Sequence, residues 1–116
     1  MTTTMYGIPN CDTIKKARKW LEAEGIEYQF HDYRKQGINS ELVKEFCASL
    51  GWENVLNKRG TTYRQLSQEQ KNSLTEQNAI ELLVEHPAMI KRPILNHNGQ
   101  LHLGFKADSY SAIFAQ

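Results

Sequence analysis

Thr3-Thr4-Met5-Tyr6-Gly7-Ile8-Pro9-Asn10-Cys11-Asp12-Thr13-Ile14 runs from an extended segment into a helix, and Cys11 stands at the junction. Thr3 to Tyr6 are β-branched, apolar or aromatic, which suits a strand. Gly7 and Pro9 end it, because one frees the backbone and the other fixes φ and lacks an N–H. Beyond Asp12, the apolar residues Ile14, Ala17 and Leu21 recur at spacings of three and four, with Lys15, Lys16, Arg18 and Lys19 on the other faces. This periodicity predicts an amphipathic helix. A thiol at a helix N-terminus meets unpaired backbone N–H groups and the positive end of the dipole, and both favour the nucleophilic thiolate. Asp12 opposes this with a negative charge next door. A small buried hydrophobe is the other reading of such a cysteine. Position alone leaves the two open.

Outward from this stretch, Gly25 is the stop of the first helix. Ile26 to Asp32 then alternates, with Ile26, Tyr28 and Phe30 on one face and Glu27, Gln29 and His31 on the other, as a second strand does. Strand, helix and strand of these lengths predict a βαβ unit with parallel strands and a right-handed crossover. Tyr33 to Gly37 reads as a polar loop. Asn39 or Ser40 caps a helix running to about Leu50, with Leu42, Val43, Phe46 and Leu50 inward. Cys47 lies on that apolar side and reads as a packed thiol rather than a resolving cysteine.

Gly51 ends that helix, and Trp52, Val55 and Leu56 predict a short helical turn. Asn57 to Thr62 is a polar, basic loop. Ser67 and Gln70 match a capping box at the start of a short helix. Thr75 caps another, whose core stripe is Ala79, Ile80, Leu83 and Val84, before His86-Pro87 stops it. From Met89 to Leu95 the pattern is extended again, with Pro93 at a strand start or on an edge. Ile94 to His97 and Leu101 to Phe105 flank Asn98-Gly99, a strong hairpin signal. Asp108 or Ser109 caps a last helix with Tyr110, Ile113 and Phe114 inward. The order β-α-β, helices, β-β-α predicts an α/β, thioredoxin-like fold with a mixed sheet and an inserted all-helical subdomain. One domain is expected over 1–116, its core at about 1–35 and 88–116 and its helical insertion at about 38–87.

Composition bounds the function. With 40% hydrophobic and 23% charged residues the chain is ordinary globular material. A net charge of +1 gives no reason to expect nucleic acid or an anionic membrane as partner. No apolar run approaches a membrane span, and the N-terminus lacks the form of a signal peptide. Two cysteines far apart point to a reducing cytoplasm and no structural disulfide. No metal is expected, since His31, His86, His97 and His102 show no close ligand spacing.

Three blocks carry a family resemblance: Tyr6-Gly7-Ile8-Pro9-Asn10-Cys11-Asp12-Thr13-Ile14-Lys15-Lys16-Ala17, the loop from Leu56 to Leu66, and Ile90-Lys91-Arg92-Pro93-Ile94. With them the chain resembles, over nearly its whole length, the ArsC-like branch of thioredoxin-fold proteins. That branch holds glutaredoxin-linked arsenate reductases, the Spx transcriptional regulators and small YffB-type proteins, and the likeness is greatest to the last. The resemblance implies that Cys11 is the nucleophile, that Arg92-Pro93 is a cis peptide bond, and that Arg92 is held close to the thiolate. A guanidinium there would lower the thiol pKa and anchor an oxyanion or carboxylate. Asn10, Asp12, Thr13, Lys15, Arg59, Lys91 and Pro93 complete the expected substrate- and glutathione-binding set.

The departures are informative. Arsenate reductases of this family place a histidine shortly before the cysteine, where this chain has Gly7-Ile8, and an arginine about two residues before Arg59, where Asn57 stands. Their third arginine has Lys106 as its nearest counterpart. Three cations around a trianion stabilise charge in such a site, so arsenate reduction ranks second. The Spx-like Cys-x-x-Cys is replaced by Cys11-Asp12-Thr13-Ile14, so a local redox switch is absent. The expected activity is a glutathione-dependent thiol reductase acting through one cysteine, with glutathione as co-substrate. Its expected partners are a glutathionylated or disulfide substrate and possible help from glutaredoxin, on a monomer. A non-catalytic, Spx-like protein-binding module is the alternative from another class, with Lys15, Lys16, Arg18 and Lys19 as its contact face.

Overall fold

A computed structural model describes residues 3–115; the ends of the expected 1–116 domain lie outside the described residues. The chain divides into two units, one formed by Met1–Gly37 with Arg92–Gln116 and the other by Ile38–Lys91.

The first unit is built on a four-stranded sheet in the order β2-β1-β3-β4. Its strands are β1 (Thr3–Gly7), β2 (Gln29–Asp32), β3 (Ile94–His97) and β4 (Gln100–Leu103). β1 runs parallel to β2 and antiparallel to β3, which pairs antiparallel with β4. The parallel pair is joined by α1 (Asp12–Ala23), and the hairpin turns at Asn98 and Gly99, both at positive φ. Positive φ at two consecutive central residues is what a two-residue hairpin requires. The mixed sheet and its order are those of the expected α/β, thioredoxin-like fold.

One face of the sheet carries α1 and α8 (Ala107–Phe114). Met5 and Leu95, paired across β1 and β3, pack with Ile14, Ala17 and Leu21 of α1 and Tyr110 of α8 in a fully buried cluster. Trp20 and Phe105 meet the Tyr110 ring edge-on, with centroids 5.6 and 4.7 Å away. The other face of α1 is less free than its charges suggest. Arg18 donates to the Tyr28 hydroxyl at 2.9 Å and lies over the Phe30 ring, which leaves Lys15, Lys16 and Lys19 as the solvated part of that basic run.

Gly7 belongs to the same face. A Cβ at this position would run into the fully buried Ile14 side chain, which would have to shift within the core. Glycine is therefore needed for α1 to close on the end of β1. Gly7→Ala is expected to cost about 1–3 kcal/mol, the usual penalty for overpacking a tight core. Equilibrium denaturation measures it, and an unchanged midpoint would show that Ile14 yields after all.

The second unit is helical: α3 (Ser40–Leu50), α4 (Trp52–Val55), α5 (Thr61–Arg64), α6 (Gln68–Asn72) and α7 (Glu76–Glu85). Asn39 caps α3, the Ser67–Gln70 capping box opens α6, and Thr75 caps α7. Val43, Phe46, Cys47, Val55, Leu56, Ala79, Ile80 and Leu83 are buried, whereas Leu42, Leu50 and Val84 are only half-buried. Met89 to Lys91 belong to this unit. The Asn57 N–H donates to the Met89 carbonyl, the Lys91 N–H to the Val55 carbonyl, and Leu56 bridges to Ile90.

Several local expectations are corrected: the second strand is Gln29–Asp32 rather than Ile26–Asp32, and the last is Gln100–Leu103 rather than Leu101–Phe105. The expected loop at Tyr33–Gly37 contains a helical turn, α2 (Tyr33–Gln36), because the Asp32 carboxylate accepts the Arg34 N–H and caps it. The expected loop at Asn57–Thr62 ends early, since α5 already starts at Thr61. Met89, expected to open the extended stretch, instead ends a 3-10 turn at Pro87–Met89. The last helix starts at Ala107, with Lys106 rather than Asp108 or Ser109 at the N-cap position.

Candidate active site

Cys11 is the N-cap residue of α1, in extended conformation, and its carbonyl accepts the first helical bond from the Lys15 N–H at 3.0 Å. The side chain is half-buried. Burial alone would push its thiol pKa up. The Ile14 and Thr13 backbone amides, the Arg92 side chain and the Arg92 charge all favour the thiolate and together outweigh burial, so the pKa falls below its ordinary value. A helix N-terminus supplies two of these donors by its own geometry.

Arg92 arrives by sheet register. Tyr6 pairs with Ile94, so the chain just before β3 runs alongside the end of β1. A Cβ on Gly7 would lie 3.7 Å from that of Arg92. The Arg92–Pro93 bond is cis, and the Pro93 carbonyl accepts from the Gly104 N–H at 2.9 Å. Cys11, Thr13, Arg92 and Pro93 therefore come together, joined by the Ile14 N–H, which the sequence analysis did not single out. An N-cap side chain lies next to the second and third helical N–H groups, and that rule would have found it.

The remaining expected residues are solvent-exposed. Asn10, Asp12 and Lys15 are exposed around the start of α1. Lys91 and Arg59 belong to the helical unit and are exposed. The Asn57 side chain accepts the Arg59 N–H at 3.1 Å and so builds the turn before α5. At the position where arsenate reductases carry an arginine, this chain has a turn-forming residue. Lys106 is exposed at the start of α8. Position 7, next to where those enzymes carry a histidine, is closed to any side chain by Ile14.

Cys47 is buried in the helical unit, and burial, with a smaller effect from Glu76, pushes its thiol up to about 11. A roomier cavity, about 590 Å³, lies at the far end of β1 among Thr3, Trp20, Glu24, His97 and Phe114. No cysteine lines it. Among the described residues no group of three or more His, Cys, Asp or Glu is placed to hold a metal, and no helix is long and apolar enough to cross a membrane.

A sequence profile of the ArsC family matches residues 6–113. The chain belongs to the ArsC family. Its structure superposes on the YffB protein with a TM-score of 0.92 at 50% sequence identity, over 96% of this chain and 97% of the other. An arsenate reductase (ArsC) related protein from Brucella melitensis gives a TM-score of 0.81 at 46% identity, over 100% and 97% of the two chains. An uncharacterized protein of Haemophilus influenzae is 45% identical, over 97% of this chain and 98% of its own. Within this ArsC-family chain, the cysteine and arginine facing each other lie in blocks that the sequence already marked.

Proposed function

We propose that this protein is a glutathione-dependent thiol reductase working through a mixed disulfide on Cys11. The observation that carries the proposal is Cys11 at the N-cap of α1 with Arg92 brought alongside the end of β1, an arrangement that lowers the thiol pKa. The Cys11 thiolate attacks the glutathione sulfur of a glutathionylated thiol. The Cys11–glutathione disulfide forms as the original S–S bond breaks, and the departing thiolate leaves with the electron pair and takes a proton from water. A glutathione thiolate then attacks the glutathione sulfur of the mixed disulfide. Oxidised glutathione departs and the Cys11 thiolate is restored, so glutathione supplies both electrons. A carboxylate of glutathione fits Arg92, with Lys15 as a further cation on the same unit. Cys47, with its raised pKa, has little thiolate to offer as a resolving group.

Arsenate reduction with glutathione and glutaredoxin is the second reading, favoured by the family. The closed position 7, the turn-forming Asn57 and the exposed Lys106 weigh against it. The test is the intact mass of reduced protein exposed to oxidised glutathione across a pH series. One adduct is expected near neutral pH in the native chain and in Cys47→Ser, and none in Cys11→Ser. The pKa of Cys11 is lowered, so the adduct should appear below the pH at which an ordinary thiol reacts, about 8.5. An adduct only above that pH would sink the proposal and leave a protein-binding role, and an internal disulfide needing both cysteines would reassign Cys47. Turnover of a glutathionylated protein against turnover of arsenate then separates the two enzyme readings.

A further inference from the structure

Beside the cysteine and arginine, the same end of the sheet holds a buried phenol that the mechanism above does not use. Gly7 pairs with Asp32 and Tyr6 with His31, so β2 ends beside the point where β1 leads into the Cys11 loop. Tyr6 also pairs with Ile94 on the opposite side. The ends of β2 and β1 and the approach to β3 therefore bring Tyr33, Cys11 and Arg92 to one edge of one unit. Tyr33 is 4% exposed, and its hydroxyl is buried without a hydrogen-bond partner.

The ring is held in place. Asp32 caps the turn that Tyr33 opens, and the Asp32 N–H donates to the Gln36 side chain at 2.9 Å. His31 packs edge-on against the ring at 6.0 Å and against Tyr6 at 5.1 Å, and is itself bonded to the Gly37 carbonyl at 2.8 Å. A buried hydroxyl left unpaired is costly and calls for an explanation. Tyr110 has such a hydroxyl too, but it sits among Trp20, Phe105 and Phe114. Tyr33 instead lies within the field of a guanidinium. Burial holds its phenol protonated, with Tyr6 adding to the effect and Arg92 opposing it. The group there is a neutral donor at the same end of the sheet as a cation, the two kinds of group that a carboxylate or other oxyanion takes.

We propose that the Tyr33 hydroxyl donates a hydrogen bond to the same anionic group that Arg92 binds next to Cys11, so that Tyr33 selects thiol substrates carrying a negative charge. This deepens the thiol reductase reading and rests on it for the identity of the substrate. The test alkylates Cys11 in a Cys47→Ser background, with iodoacetate as the anionic probe and iodoacetamide as the neutral one. Tyr33→Phe is expected to slow iodoacetate about fivefold or more, leaving the iodoacetamide rate and its pH midpoint in place. Because the variant deletes an unpaired buried hydroxyl, its melting temperature should hold or rise. Equal slowing of both probes would show a structural or pKa effect and overturn the proposal, and so would an unchanged ratio. Failure of the wild-type protein to form a glutathione adduct would sink the thiol reductase reading without altering this ratio, so the two failures are distinguishable.

Discussion

Arg92→Ala is expected to move the pH midpoint of Cys11 reactivity upward and to slow the reaction near neutral pH about tenfold. The substitution removes a hydrogen bond and a positive charge from the sulfur, leaving the Ile14 and Thr13 amides to work against burial. The sign follows from the thiolate fraction. Below both midpoints that fraction falls tenfold per unit, so the rate near neutral pH should drop about tenfold. Above both midpoints each protein is fully thiolate. There the variant should match or exceed the native rate, because a more basic thiolate is more nucleophilic, with a Brønsted coefficient of about 0.4–0.5. Crossing profiles are thus the signature of a pKa effect, whereas a parallel loss at every pH would mean that the substitution disturbed the fold. Arg92→Lys should fall between, since it keeps the charge and loses the planar fork. Alkylation by a neutral reagent across a pH series reads all three, and superimposable profiles would remove Arg92 from the account.

Leu21→Ala is the substitution with the largest expected effect on stability. Leu21 is fully buried on α1 in the cluster with Met5, Ile14, Ala17, Leu95 and Tyr110. Truncating a leucine in such a site costs about 2–5 kcal/mol, through lost transfer energy and the cavity left behind. Native domains hold only about 5–15 kcal/mol in all. A loss of about 3 kcal/mol would lower the melting temperature of a chain this size by roughly 10 °C. The consequence reaches the site, because the helix that Leu21 anchors begins at Cys11. A loss below about 1 kcal/mol would show that the cluster collapses around the gap instead of keeping it.

Much of the architecture was legible because it is local. The three- and four-residue spacing of Ile14, Ala17 and Leu21 gave α1, and those three residues are its buried ones. Asn39, Ser67 and Thr75 announced three helix starts through side chains that accept the N–H three residues on. Asn98-Gly99 announced the hairpin. The misread segments have weaker local signals. Nothing in the polarity of Tyr33–Gln36 marks a helical turn whose cap is also the last residue of a strand. The start of α8 carries no capping side chain at all, so Asp108 and Ser109 drew the reading two residues too far.

By itself, then, the sequence determined the elements, their order and the placing of Cys11 at a helix start, since each depends on residues within one or two turns of each other. Position alone left that cysteine open between nucleophile and packed thiol. Only the tertiary structure decided that its pKa is lowered, because the deciding guanidinium comes from far along the chain, delivered by the pairing of β1 with β3. The tertiary structure also made Gly7 a packing requirement, attached Met89–Lys91 to the helical unit, and buried the Tyr33 hydroxyl at the Cys11 end of the sheet. These are contacts between distant residues, and a sheet register that pairs strands from both ends of the chain is what creates them.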